Sequence, residues 1–99
     1  MALAFATPRI DIPSGTGYRV FSAVHDFGRT VNSAAGAMNG FKLDYISDDH
    51  HINVIEANTV ITNVNGSFVS YRIACQFADK NFDDEYSGFI DILLIADVV

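Results

Sequence analysis

The chain has 99 residues, of which 49% are hydrophobic, a formal net charge of −6 and one cysteine. Its length allows one domain with a modest core, because a chain of this size buries about 60–65% of its unfolded surface. The 6 Lys and Arg residues are scattered, which argues against a nucleic-acid partner since phosphate binding needs clustered cations, and a lone cysteine excludes an intrachain disulfide.

The amino-terminal segment, residues 1–17, contains both prolines and ends in a Ser-Gly-Thr-Gly run. Because proline cannot donate to a strand ladder, this segment predicts an extended arm and a turn, either as an edge strand or against a neighbouring subunit. It lacks the basic start and the long apolar core of a secretory signal, and no run in the chain suits a membrane span. We therefore expect no membrane insertion, and a location in the cytoplasm or in an exported assembly.

The first half of the remaining domain, residues 18–99, predicts two strands. Residues 18–25 are rich in β-branched and aromatic side chains, as in a strand. Residues 26–36 are small and polar and predict a loop, with a short helix over residues 31–37 as the alternative. In residues 37–47 apolar and polar side chains alternate, which predicts a strand whose Asn39-Gly40 pair forms a turn or a bulge.

The second half predicts an antiparallel hairpin and one more strand. Residues 52–64 are β-branched, with a slip in the alternation near residues 56–58, and Asn65-Gly66 is a favoured hairpin turn before the regular alternation of residues 67–77. Residues 86–98 also alternate with period two, which predicts a strand, and a buried helix is the alternative interpretation. We expect the two alternating segments to oppose each other in the core through Val69, Tyr71, Ile73, Cys75 and Phe77 on one side and Ile90, Ile92, Leu94 and Ala96 on the other.

These elements predict an all-β fold, a single-domain antiparallel β-sandwich of about six strands. Turn signals at short intervals and the lack of a convincing amphipathic helix favour this class. A single open sheet would leave an apolar face in water, so two packed sheets are expected. The large apolar content also suggests surface buried between subunits, and hence a homo-oligomer.

The connection before the last strand, residues 78–85, is the most acidic run in the chain. Asp79, Asn81 and Asp83 have the alternate spacing of calcium ligands, so calcium is one candidate for this loop. It is not an EF-hand, because Asp84 stands where glycine is needed and the twelfth position is not acidic. The competing interpretation is a solvated turn whose side chains bond to their own backbone.

Other polar groups give weaker indications of chemistry. His50 and His51 are adjacent, so on a strand they would point to opposite faces and would not converge on one metal ion. Cys75 lies on an apolar strand face, as a buried structural thiol does. The sequence contains no catalytic motif and no evident acid–base pair, so we expect a binding protein rather than an enzyme.

Three segments together resemble the H-type lectins, the snail-agglutinin-like domains also found at the end of discoidins. They are HHINVIEA at residues 50–57, NGSFVSYRIACQF at residues 65–77 and YSGFIDILLIAD at residues 86–97. The resemblance covers roughly residues 40–98. It implies a six-stranded antiparallel sandwich that assembles as trimers or hexamers and binds N-acetylgalactosamine-type sugars.

The same resemblance implies a sugar site beside the acidic connection, with departures. Tyr86 matches a family tyrosine, but the chain has no Trp, and Lys80-Asn81 stand roughly where the family has a Trp-His pair. Asn53 stands roughly where the family has an arginine. The sugar specificity of the family therefore does not transfer.

Two functions follow from these patterns. The first is a small oligomeric carbohydrate-binding module whose ligand lies at Asp79, Asn81, Asp83, Tyr86 and Asn53, with Tyr86, Phe82 or Tyr45 as stacking rings. The second is a structural self-assembling protein, of the virion or injection-machine type, that uses the same sandwich for subunit contacts.

Overall fold

The computed structural model describes residues 2–46, 52, 54–78 and 84–99. Within them the chain forms strands and no helix, and so no helix that could cross a membrane. The strands are β1 (Ala2–Ala6), β2 (Arg9–Gly15), β3 (Arg19–Asp26), β4 (Val31–Tyr45), β5 (Val54–Asn65), β6 (Phe68–Ala78) and β7 (Tyr86–Val98).

The strands form two antiparallel sheets that face each other. In sheet A, β7 is central, with β4 along one side and β1 followed by β2 along the other. In sheet B, β6 is central between β3 and β5. Since β1 and β2 share one edge, each sheet has three strand positions, which confirms the predicted all-β sandwich-like fold.

The predicted arm is part of sheet A in this arrangement. Its two halves, β1 and β2, are separated at Thr7 and Pro8 and keep the same register with β7 across this break, as far as a shift between Ile12 and Gly15. The carbonyl oxygen of Pro8 accepts a hydrogen bond from the Ile92 amide at 2.9 Å, which keeps the edge attached across the break. The edge position suits prolines, because proline has no backbone N–H to donate to a second neighbouring strand.

The core lies between β6 and β7, as the alternation predicts. All nine side chains expected to oppose each other across the core are buried. Tyr71, Ile73, Cys75 and Phe77 belong to the same apolar cluster as Ile90, Ile92 and Leu94, and Val69 and Ala96 belong to a second cluster. The register of both central strands is therefore confirmed.

The hairpin of β5 and β6 is also confirmed, with two local differences. Asn65 pairs with Phe68, so the central turn residues are Gly66, with a φ of 62°, and Ser67. The irregularity of β5 lies between Ile61 and Asn63, rather than near residues 56–58 where the alternation slips.

The amino-terminal half of β4 corrects a prediction. Residues 31–36, expected as a loop or the start of a short helix, belong to a strand that pairs with β7 over its whole length. Ala and Gly have poor strand propensity, but pairing with a central strand satisfies the backbone and overrides it. The bulge expected at Asn39-Gly40 is present, as a register shift between Met38 and Gly40.

Candidate functional site

The strand ends that flank three of the connections between the sheets lie at one end of the sandwich, which we call the connection end. They are residues 16–18 between β2 and β3, residues 46–53 between β4 and β5, and residues 79–85 between β6 and β7. The pairing Tyr45↔Tyr86 joins the ends of two of them, and Gly15↔Tyr86 joins the third. At the connection end, loop side chains can therefore vary while the paired strands keep the ends of the loops in place.

Four of the five residues predicted to bind a ligand lie outside the described residues. They are Asn53, Asp79, Asn81 and Asp83; the same holds for Phe82, His50 and His51. Asn53 directly precedes Val54 and Asp79 directly follows Ala78, and these two described residues are partners across β5 and β6. The two connections that carry the four residues are therefore attached to adjacent strands at this pair of residues.

The structure places the fifth predicted residue, Tyr86, in the core. Its side chain is 0% exposed, and its ring centre is 6.1 Å from that of Phe77. Its ring therefore offers no face to a sugar. The alternation contained this signal, because Tyr86 has the same parity as the buried Ile90 and Ile92.

The hydroxyl group of Tyr86 is the centre of a polar cluster, which we call the Arg19–Tyr86 cluster. The hydroxyl donates to the carbonyl oxygen of Gly17 at 2.7 Å and lies 3.3 Å from that of Cys75. It accepts from Arg19 Nε at 3.3 Å, and the Cys75 sulfur lies 3.7 Å away. Burial raises the pKa of the Tyr86 hydroxyl, against the opposing hydrogen bond from Arg19, so the group remains protonated as the donor to Gly17.

Arg19 extends this cluster from sheet B to sheet A. Its Nη1 donates to the carbonyl oxygen of Pro13 at 2.6 Å, and its Nη2 donates to that of Tyr86 at 3.1 Å. A Cβ at Gly15 would overlap this guanidinium group, so glycine leaves the room that the arginine occupies. The cluster thereby ties β2, β3 and β7 together directly beneath the connection end.

Sequence reasoning missed Arg19 because its partners are distant in the chain. Tyr86 is 67 residues away, and no local pattern links the two residues. The weak signal was a single cation at the start of a strand whose next five residues, 20–24, are all apolar or small. Cys75, by contrast, is a buried free thiol, as its place on the apolar face predicts.

Among the described residues, Tyr18 is an aromatic side chain at the connection end that is 59% exposed. It precedes Arg19 and follows Gly17, so both of its neighbours are held by the Arg19–Tyr86 cluster. Tyr45, expected as a stacking ring, is half-buried, and its own ring packs against Phe77 with 4.5 Å between centres. Tyr18 is therefore the described ring that a ligand at this end can reach.

The described residues form no pocket, and they contain no group of three or more His, Cys, Asp or Glu side chains placed to hold a metal ion. The calcium ligands suggested by the sequence, Asp79, Asn81 and Asp83, are outside that part of the chain. No family model matches the sequence, and no curated protein or solved structure shows significant similarity to the chain.

Proposed function

We propose that this chain is a small homo-oligomeric carbohydrate-binding module that binds its ligand at the connection end. The observation that carries the proposal is the joining of three connections at one end, above a buried cluster that fixes their strands. Binding residues are commonly placed on loops that a rigid scaffold positions. The resemblance to the H-type lectins, with their six-stranded sandwich, supports the same function, as does a fold with three strand positions in each sheet.

The chemistry of the connections suits sugar hydroxyl groups. Asp79, Asn81 and Asp83 supply carboxylate and amide groups from one connection, and Asn53 supplies an amide from another. Tyr18 takes the role of stacking ring for the apolar face of a sugar, in place of the buried Tyr86. An oxygen-rich set of this kind also suits calcium, which we include as a candidate accessory ion.

Glycan-array binding followed by titration calorimetry tests this function. Asn81→Ala, Asp83→Ala and Tyr18→Ala should each weaken sugar binding at least about tenfold. Removing a side chain that contacts the ligand at the centre of a site costs roughly 1.4 kcal/mol or more of binding free energy, and 1.4 kcal/mol corresponds to a factor of about ten in Kd. Repeating the titration in chelator separates direct sugar binding from binding through calcium. An array with no signal, or variants that bind as the parent does, would contradict the proposal.

Matched variants on the strands, outside the three connections, separate a loss of binding from a general effect on the protein. Asn63→Ala is the control for Asn81→Ala, and Asp44→Ala, whose carboxylate is exposed beside Lys42, is the control for Asp83→Ala. Phe68→Ala removes an exposed ring at the opposite end and is the control for Tyr18→Ala. All three controls should bind sugar like the parent protein.

A second candidate function, structural self-assembly, is favoured by a different observation. The molecule measures 50 × 18 × 18 Å, and one long side of this rod carries exposed Leu3 and Phe5. Rods with an apolar side can associate into regular particles or tubes. Electron microscopy of the purified protein distinguishes the two functions: extended regular assemblies without glycan binding favour the structural protein, and discrete oligomers that bind sugar favour the lectin-like module.

A further inference from the structure

The outward surface of sheet A has an apolar centre. Within the described chain the guanidinium carbon of Arg9 lies 3.8 Å from the centre of the Phe89 ring, and Leu3 and Phe5 remain exposed. We define this outer face by six side chains that point away from the core: Leu3, Phe5, Ala35, Phe89, Leu93 and Ile95. They lie on three neighbouring strand positions, because Ile95 pairs with Phe5 on one side and with Ala35 on the other. A contiguous apolar patch of this kind marks an interaction surface on a soluble domain.

We propose that the outer face of sheet A packs against the same face of another copy of this chain. This inference rests on the homo-oligomeric part of the proposed function and identifies the surface that forms the oligomer.

Strand β1 has its larger side chains on the outer face. Its core side carries only Ala2, Ala4 and Ala6, whereas Leu3 and Phe5 on the other side are 64% and 63% exposed. In an isolated sandwich the expected arrangement is the reverse, because burying large apolar side chains stabilises the fold most. The outward Leu3 and Phe5 indicate that this side of β1 is also buried, in an assembly.

The outer face of sheet B lacks this apolar centre. Its central strand β6 directs Ser70, Arg72 and Gln76 outward on either side of the small Ala74. These polar side chains separate the exposed valines of the neighbouring strands, Val20, Val24 and Val60. In sheet A the central strand β7 directs Phe89, Leu93 and Ile95 outward instead. The apolar centre of the face therefore distinguishes sheet A as the contact surface, and sheet B supplies a matched control.

The whole outward side of sheet A, which is the outer face together with the charged residues around it, is large enough for a stable contact between copies. Strand β7 has 13 residues, so three strand positions of this length span a flat area of about 600 Å², at about 3.4 Å per residue and about 4.8 Å per strand. A standard interface removes about 800 Å² of accessible surface from each partner. Side-chain relief raises the accessible surface above the flat area, so the two values agree.

The polar groups on this face suit a copy of itself. Asp97 Oδ1 is buried beside Leu3 and finds no hydrogen-bond donor in the described part of the chain. The same face carries two ion pairs, Arg9 with Asp91 and Lys42 with Asp44, and the side chains of the second pair are 63% and 66% exposed. Both charge signs are thus present on one face, so a second copy brings cations and carboxylates that can complement each other.

Substitutions on the two outer faces test the proposal by analytical ultracentrifugation of the full chain. Leu93→Asp and Phe5→Asp place a charge in the proposed contact and should weaken association at least about tenfold. Val24→Asp, at a side chain that is 58% exposed on sheet B, should leave association unchanged. Thermal unfolding checks each fold; Phe5 is mostly exposed, so its substitution keeps the test valid if Leu93→Asp is unstable.

A monomeric parent protein at micromolar concentration would overturn the inference, as would an oligomer that Val24→Asp weakens as much as Phe5→Asp does. Sugar binding is measured separately on the same variants. If Phe5→Asp dissociates the oligomer and no form binds sugar, the interface stands and the carbohydrate function fails. If sugar binds and the face variants remain assembled, the binding function stands and the interface inference fails.

Discussion

The guanidinium carbon of Arg19 lies 4.3 Å from the ring centre of Tyr86, and Arg19 Nε donates to the hydroxyl group of the same tyrosine. The cation thus contacts both the face and the polar end of one buried side chain. Because Arg19 belongs to sheet B and Tyr86 to sheet A, this contact joins the sheets at the connection end.

Removing the Tyr86 hydroxyl should therefore destabilise the fold. In Tyr86→Phe the carbonyl oxygen of Gly17 and Arg19 Nε lose their partner, and we expect a loss of about 1–3 kcal/mol in the free energy of unfolding. Urea denaturation measures it. Tyr18→Phe, which removes an exposed hydroxyl, should change stability by less than about 0.5 kcal/mol; equal effects of the two variants would exclude a structural role for the cluster.

Burial of Tyr71 and Tyr86 should make the fold sensitive to alkaline pH. Burial raises the pKa of both hydroxyl groups above the ordinary value of 10.0. The unfolded chain then loses these protons first, so their contribution to stability is complete below pH 10 and is lost as the pH rises through the folded pKa values. Denaturation curves measured between pH 8 and pH 11, about one to two units on either side of that value, should show falling stability, with a smaller fall in Tyr86→Phe.

Shortening a buried side chain at the centre of β7 should strongly lower the free energy of unfolding. Ile92 is 0% exposed, so Ile92→Ala should cost about 2–5 kcal/mol through lost burial and a residual cavity. Val24→Ala on the outside of sheet B is the control and should cost less than about 1 kcal/mol. A cost below about 1 kcal/mol for Ile92→Ala would show a register shifted by one residue, since such a shift exchanges the two faces of a strand.

The close approach of β4 to β7 should depend on Gly88. A Cβ at this residue would overlap the carbonyl oxygen of Lys42, so Gly88→Ala must push the two strands apart. We expect a loss of about 2 kcal/mol or more, as strain in a packed structure produces. Gly40→Ala is the control, because the nearest atom to a Cβ there is Asp91 Oδ2 at 3.9 Å; chemical denaturation of both variants should show a clear difference between them.

The sequence was sufficient for those parts of the fold that local alternation determines. Strands β6 and β7 have a period of two over their whole length, so their faces and the core between them were predictable. The start of β4 was not, because residues 31–36 are mostly small and polar and become a strand only by pairing with β7, which lies more than fifty residues away.

The candidate site was predictable to a smaller extent. The alternation of β7 already assigned Tyr86 to the core side, but the family resemblance assigned it to a sugar site. Arg19 and Tyr18 gain their roles from the meeting of three connections, which depends on the topology of both sheets. A site formed by residues that are distant in the chain produces no pattern in any one stretch of the sequence.

The place of β7 in sheet A also determines when that sheet can be made. All three of its partner strands, β1, β2 and β4, precede it in the chain, and none of them pairs with another. During synthesis these strands must therefore wait with their backbone groups solvated, while the β5–β6 hairpin can already close. Sheet A is completed only after translation of β7, so the folding of this domain is a late event that depends on its last strand.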